Sequence, residues 1–175
     1  VTENILKGKA IWTCQYTIMG NGEVFIECDL KTKKKLPELM RMGMQMKLEP
    51  EYNTLSWYGR GPHETYPDRK NSAAVGRYTG SVEDHLVSYY RPQENANKSE
   101  VRWLSLTDQD DIGLMAIGMP LLEISAWPYG MDDLKKATEN HLLPHRDFIT
   151  LNLDHQQHNI GGNGSGEAMP MDKYR

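Results

Sequence analysis

The densest chemistry in the chain lies in "SWYGRGPHETYPDRK", residues 56–70. His63, Glu64, Asp68 and Arg69 put an imidazole, two carboxylates and a guanidinium close together in sequence. That set could do general acid–base work if the groups converge. The same stretch contains Gly59, Gly61, Pro62 and Pro67, which interrupt regular structure. An irregular backbone leaves donors and acceptors to satisfy, and carboxylates and guanidinium groups satisfy them well. An acid–base site and a conformationally demanding corner are both open readings of these residues.

The other chemical constellations are weaker. "HLLPH" (141–145) has metal-ligand spacing for a helix, but Pro144 breaks that helix. "HQQH" (155–158) follows a strand-like run, where residues i and i+3 face opposite ways. Neither resembles a zinc motif, and structural or solvated histidines are expected. "GGNGSG" (161–166) is glycine-rich but precedes no helix, so it reads as a loop near a ligand rather than a phosphate cradle. Glycoside hydrolysis needs two carboxyl groups about 5–5.5 Å or about 6.5–9.5 Å apart. Sequence spacing does not show that any two of the 24 acids meet.

Short strands separated by turns must position these groups. "AIWTCQYTI" (10–18) and "EVFIECDL" (23–30) alternate and flank "MGNG", a hairpin signal. In "LMRMGMQMKL" (39–48), Met40, Met42, Met44 and Met46 fall on one face, opposite Arg41, Gln45 and Lys47. That period of two predicts a half-buried strand with a core role for the methionines. Further strands are predicted at 54–59, 100–108, 112–119, 121–129 and 146–154. Only "MDDLKKATENHL" (131–142) has helical character, with acids in its first turn and Pro144 just beyond it. The pattern predicts an all-β antiparallel sandwich with one short surface helix. Cys14 and Cys28 fall opposite one another if the hairpin centres on Asn21. Free thiols on neighbouring strands are the favoured reading and a disulfide the alternative.

With 38% hydrophobic and 25% charged residues, the 175-residue chain has the composition of one globular domain. A net charge of −4 gives no reason to expect nucleic acid or an anionic membrane as partner. "KTKKK" (31–35) reads as a solvated turn. No run of 18 apolar residues predicts a membrane span. "VTENILKGKA" has neither the apolar stretch nor the cleavage site of a signal peptide.

Several segments together resemble the C-terminal β-sandwich domain of glycoside hydrolase family 2 β-galactosidases. They are "WYGRGPHETYPDRK" (57–70), "YYRPQENANKSEVRWLSL" (89–106), "ISAWPY" (124–129), "HLLPHRDFITLNLD" (141–154) and "IGGNGS" (160–165), in family order from about residue 10 onward. The resemblance implies a galactose-mutarotase-like supersandwich spanning 1–175 as a truncated C-terminal piece of a larger enzyme. In the family, two glutamates on a preceding (β/α)₈ barrel cleave β-D-galactosides with retention, assisted there by magnesium and often sodium. None of that machinery is expected in these residues, so no catalytic or metal-binding residue is assigned. The expected partners are the β-galactoside substrate through the parent enzyme, the missing N-terminal domains, and a second copy through an open sheet edge.

The resemblance also favours the corner reading of Glu64, Asp68 and Arg69. It brings the glycine-rich loop toward the barrel site, where the family carries a tryptophan that stacks on sugar. Here Gly161, Gly162 and Ser165 match that pattern, Gly166 stands at the tryptophan position, and Asn159 replaces a usual glycine. Asn163, Ser165 and Gly166 are therefore the substrate-contact candidates. Two alternatives are a stand-alone carbohydrate-binding module and a mutarotase-like epimerase. The module needs an exposed aromatic platform; Trp57, Trp103 and Trp127 read as core, and Trp12 fits either role. The epimerase needs a histidine acid and a glutamate base, for which His85 or His141 with Glu123 or Glu139 are the participants.

Overall fold

In the computed structural model, residues 1–33, 35, 36 and 39–158 are described. The expected all-β antiparallel class holds for both sheets, of three and six strands. Two compact units divide the chain, Val1–Leu39 and Met40–Arg175.

The first unit is a three-stranded meander of β1 (Thr2–Ile5), β2 (Ala10–Ile18) and β3 (Val24–Thr32). Gly22 takes a φ of 92° in the β2–β3 turn, a conformation that favours glycine. The hairpin register places Cys14 directly opposite Cys28. Their sulfurs are bonded at 2.23 Å, which corrects the expectation of free thiols. The basic run also differs from its expected turn, because Lys31 and Thr32 continue β3.

The second unit is a six-stranded sheet in the order β4-β9-β8-β7-β5-β6. Its strands are β4 (Arg41–Leu48), β5 (Thr54–Gly61), β6 (Ala74–Ser81), β7 (Lys98–Thr107), β8 (Gly113–Trp127) and β9 (Ile149–Gln157). β8 runs through the two predicted strands at 112–119 and 121–129. It pairs with β7 between Gly113 and Ile124, and its last five residues pair with β9. Pro120 falls where the β7–β8 register shifts, so its missing N–H costs no regular ladder bond. β6, absent from the sequence prediction, is an edge strand with no alternating apolar pattern.

Leu55, Trp57, Leu104, Leu106, Ile124 and Leu151 form the heart of the core, each 2% exposed or less. Burying one such Leu or Ile contributes roughly 1.5–3 kcal/mol. Met46 packs against this core, while Met42 and Met44 are half-buried. Met40 lies before β4 and is 62% exposed, so the methionine stripe is shorter than its spacing predicts.

A second cluster of Ala96, Trp127 and Tyr129 is covered by Leu86, Met131, Leu134 and Leu143. Helix α1 (Met131–Lys136) is half the predicted length, and a separate 3-10 turn follows at Asn140–Leu142. Ala137 is extended, and neither Thr138 nor Asn140 favours continuing a helix.

Candidate functional site

The stretch that leaves β5 is a corner with every charged group committed. The Glu64 side chain is 7% exposed and takes a bond from Arg69 Nη2 at 2.7 Å. It also accepts from the Ala96 amide at 2.8 Å, from Tyr66 Oη at 3.3 Å and from Tyr89 Oη. Thr65 and Asn97 clasp one another through two bonds of 2.8 Å, Thr65 N–H to the Asn97 carbonyl and Asn97 Nδ2 to the Thr65 carbonyl. Thr65 Oγ1 then accepts from the Ser99 amide at 2.8 Å.

On the other side of the corner, Glu100 accepts from Arg60 Nε at 2.8 Å and Lys70 Nζ at 2.6 Å. Arg60 Nη1 also holds the carbonyls of Lys70 and Ala73. Asp68 lies beside Arg69 and His158, and partial burial raises its pKa. Burial likewise raises the Tyr66 phenol far above its usual range, with nearby Glu94 and Glu64 adding to the shift. A carboxylate saturated with donors, as Glu64 is, has no lone pair poised to take a substrate proton.

A second buried charge cluster joins β4 to β9. Arg41 Nε and Nη2 each lie 2.8 Å from Asp154 Oδ2, and Nη1 lies 3.1 Å from Glu94 Oε2. A bulge at Met42/Gly43 permits this approach. A Cβ on Gly43 would run into the Asp154 backbone, so glycine lets β9 come close enough for its carboxylate to meet Arg41. Burial pushes Glu94 up to about 7 and raises Asp154, with Arg41 opposing both shifts. Arg41 also lies 5.8 Å from the Trp127 ring centroid.

Lys98 is fully buried, and its Nζ has no hydrogen-bond partner among the described residues. It faces the Trp57 ring at 5.3 Å, and His85 meets the same tryptophan edge-on at 4.8 Å. Burial pushes Lys98 down to about 8. His85 goes down to about 4 through burial and then the nearby Lys98 charge.

Across the strand, Glu123 accepts from Asn97 Nδ2 at 2.5 Å and Ser99 Oγ at 2.9 Å. Burial still dominates, and Glu123 rises to about 7. Since its folded pKa exceeds the unfolded value near 4.5, the folded state holds the extra proton between pH 4.5 and about 7. This contribution is present in full below that window and is lost as pH rises through it. Glu123→Gln should therefore raise stability above pH 7 by about 1–3 kcal/mol and flatten its pH dependence. Urea melts at pH 5 and pH 8 test this; an equal loss of stability at both would mean that the negative charge is required.

The sequence candidates are dispersed. His85 rests on Trp57, Glu123 on Asn97 and Ser99, and His141 on Glu139, with Nδ1 3.3 Å from Oε2. Only that last pair is exposed. Trp57 and Trp127 are fully buried, as expected for core, while Trp12 and Trp103 are half-buried. Asn163, Ser165 and Gly166 lie outside the described residues. Among the described residues, no three His, Cys, Asp or Glu side chains gather to hold a metal ion.

Sequence reasoning missed the Arg41–Glu94–Asp154 cluster and Lys98. A signal existed in "ITLNLD", where Thr150, Asn152 and Asp154 alternate with apolar residues yet are all buried.

A family model described as beta galactosidase small chain matches residues 1–175. A curated β-galactosidase of Priestia megaterium is 36% identical over 159 residues, covering 91% of this chain and 15% of the relative. One from Vibrio cholerae is 35% identical over 151 residues, covering 86% of the chain and 14% of the relative. One from Lactococcus lactis is 29% identical over 175 residues, covering 99% of the chain and 17% of the relative. The chain thus spans 14–17% of the length of these relatives.

Proposed function

Because the chain belongs to the β-galactosidase small-chain family, we propose that it is the non-catalytic sandwich portion of a longer β-galactosidase. In this reading the parent hydrolyses terminal β-D-galactosides with retention, using two glutamates elsewhere in the polypeptide. The present portion walls the active site and supports assembly. The observation that carries the non-catalytic role is Glu64: the most site-like carboxylate in the sequence is consumed by four donors that fix the corner. Magnesium, expected in the parent barrel, finds no matching set among the described residues of this chain, so no step is assigned to it here.

An o-nitrophenyl β-galactoside assay tests the proposal. The complete polypeptide should turn over and the 175-residue chain should not. Turnover by the chain alone, lost on replacing one of its own carboxylates, would overturn the non-catalytic reading.

A further inference from the structure

We propose that the groove beside Tyr90 is a binding site for one pyranose ring. The inference rests on the carbohydrate-enzyme reading above, and its evidence is local. A cavity of about 290 Å³ is lined by Ser88, Tyr89, Tyr90, Glu139, Asn140 and His141. It shares Ser88 and Asn140 with a narrower recess of about 90 Å³ that reaches Tyr129. At about 290 Å³ the groove sits at the lower edge of small-molecule sites, which start near roughly 300 Å³. It suits one sugar ring rather than an extended chain.

The chemistry of the lining matches a pyranose on both of its surfaces. One face of the sugar is C–H, and an aromatic ring covers it well. Tyr90 is 85% exposed, the highest value among the large hydrophobic side chains of the described residues. The rim of the sugar is hydroxyl, each group both donor and acceptor. Asn140, Ser88, the Glu139 carboxylate and the His141 imidazole present both kinds of partner. The Glu139 carboxylate in the wall disfavours phosphate or another anion.

The frame of the groove is already fixed. Tyr89 Oη is tied to Glu64 and Arg69, and Tyr129 Oη accepts from Asn95 Nδ2 at 3.0 Å. Those bonds hold the walls before any ligand arrives, which lowers the ordering cost of binding.

Titration of the chain with galactose and with lactose, followed by amide chemical shifts, tests the site. Saturable millimolar binding should perturb Tyr90, Asn140 and His141. Tyr90→Ala should weaken it by about tenfold or more, corresponding to about 1.4 kcal/mol. Tyr90→Phe should keep it, because the ring face and not the hydroxyl makes the contact. Both variants should melt like the parent chain, since the side chain is exposed.

Absence of shifts at about 50 mM sugar, far above a millimolar Kd, would overturn the site, as would shifts that Tyr90→Ala leaves unchanged. Hydrolysis by the complete polypeptide is measured separately. Turnover without Tyr90-dependent binding removes this site alone, whereas binding without turnover removes only the proposed enzyme role.

Discussion

Replacing Arg41 by methionine is expected to destabilise the second unit by about 3–5 kcal/mol, the range for breaking a buried ion pair from one side. Arg41 is the cation facing both Asp154, whose side chain is 1% exposed, and Glu94, at 16%. Methionine keeps much of the aliphatic stem but leaves two carboxylates without that guanidinium in a region too dry to solvate them.

The loss should depend on pH. Burial already raises both carboxylates, and removing the guanidinium raises them further. The folded variant then holds protons that the unfolded chain releases, so its stability falls as pH rises from about 5 to above 7. Urea denaturation at pH 5 and pH 7.5 should show partial recovery at the lower value. A cost below about 1 kcal/mol at pH 7.5 would mean that water reaches the cluster and the ion pair is worth no more than a surface one.

Lys98→Met should act in the opposite sense and stabilise the fold by about 1–3 kcal/mol at neutral pH. The ammonium is fully buried with no hydrogen-bond acceptor among the described residues, and its attraction to the Trp57 face offsets only part of the desolvation cost. Its folded pKa of about 8 lies below the ordinary lysine value of 10.5. Between those values the unfolded chain binds more protons, so wild-type stability rises with pH across that window. The advantage of methionine should therefore be largest below pH 8 and shrink toward pH 10. Guanidinium melts of both proteins at pH 7 and pH 9.5 measure it. A destabilised Lys98→Met at both pH values would show that the amine has a partner worth more than its desolvation.

Strands with one apolar face were legible in the sequence because their periods of two come from local burial. β4 and β9 show that burial, whereas β2 and the largely exposed β3 were found through their β-branched and aromatic content around the "MGNG" turn. β6 was not, since an edge strand with exposed residues carries little alternation. The strands predicted at 112–119 and 121–129 are one strand, with a register shift where they were divided. The helix was overextended because its acidic start and apolar spacing do not reveal the extended Ala137.

Of the candidate site, the corner was legible by residue type: glycines, prolines and charged groups in one stretch announce a backbone that needs tying down. Its partners were not legible. Ala96 and Asn97 lie 32 residues from the Glu64 and Thr65 they bond, and no local pattern reports that distance. The disulfide was a matter of hairpin register, which one residue of slip would have abolished.

The clasp between Glu64–Thr65 and Ala96–Ser99 also bears on how this sequence can change over time. The two stretches look like separate words in the chain, yet they form a single mechanical part. A substitution on one side alters what is tolerable on the other, with coupling of about 0.5–3 kcal/mol for residues in one network. Lineages should therefore replace these residues jointly or keep them jointly, and the pair should drift as one unit of inheritance.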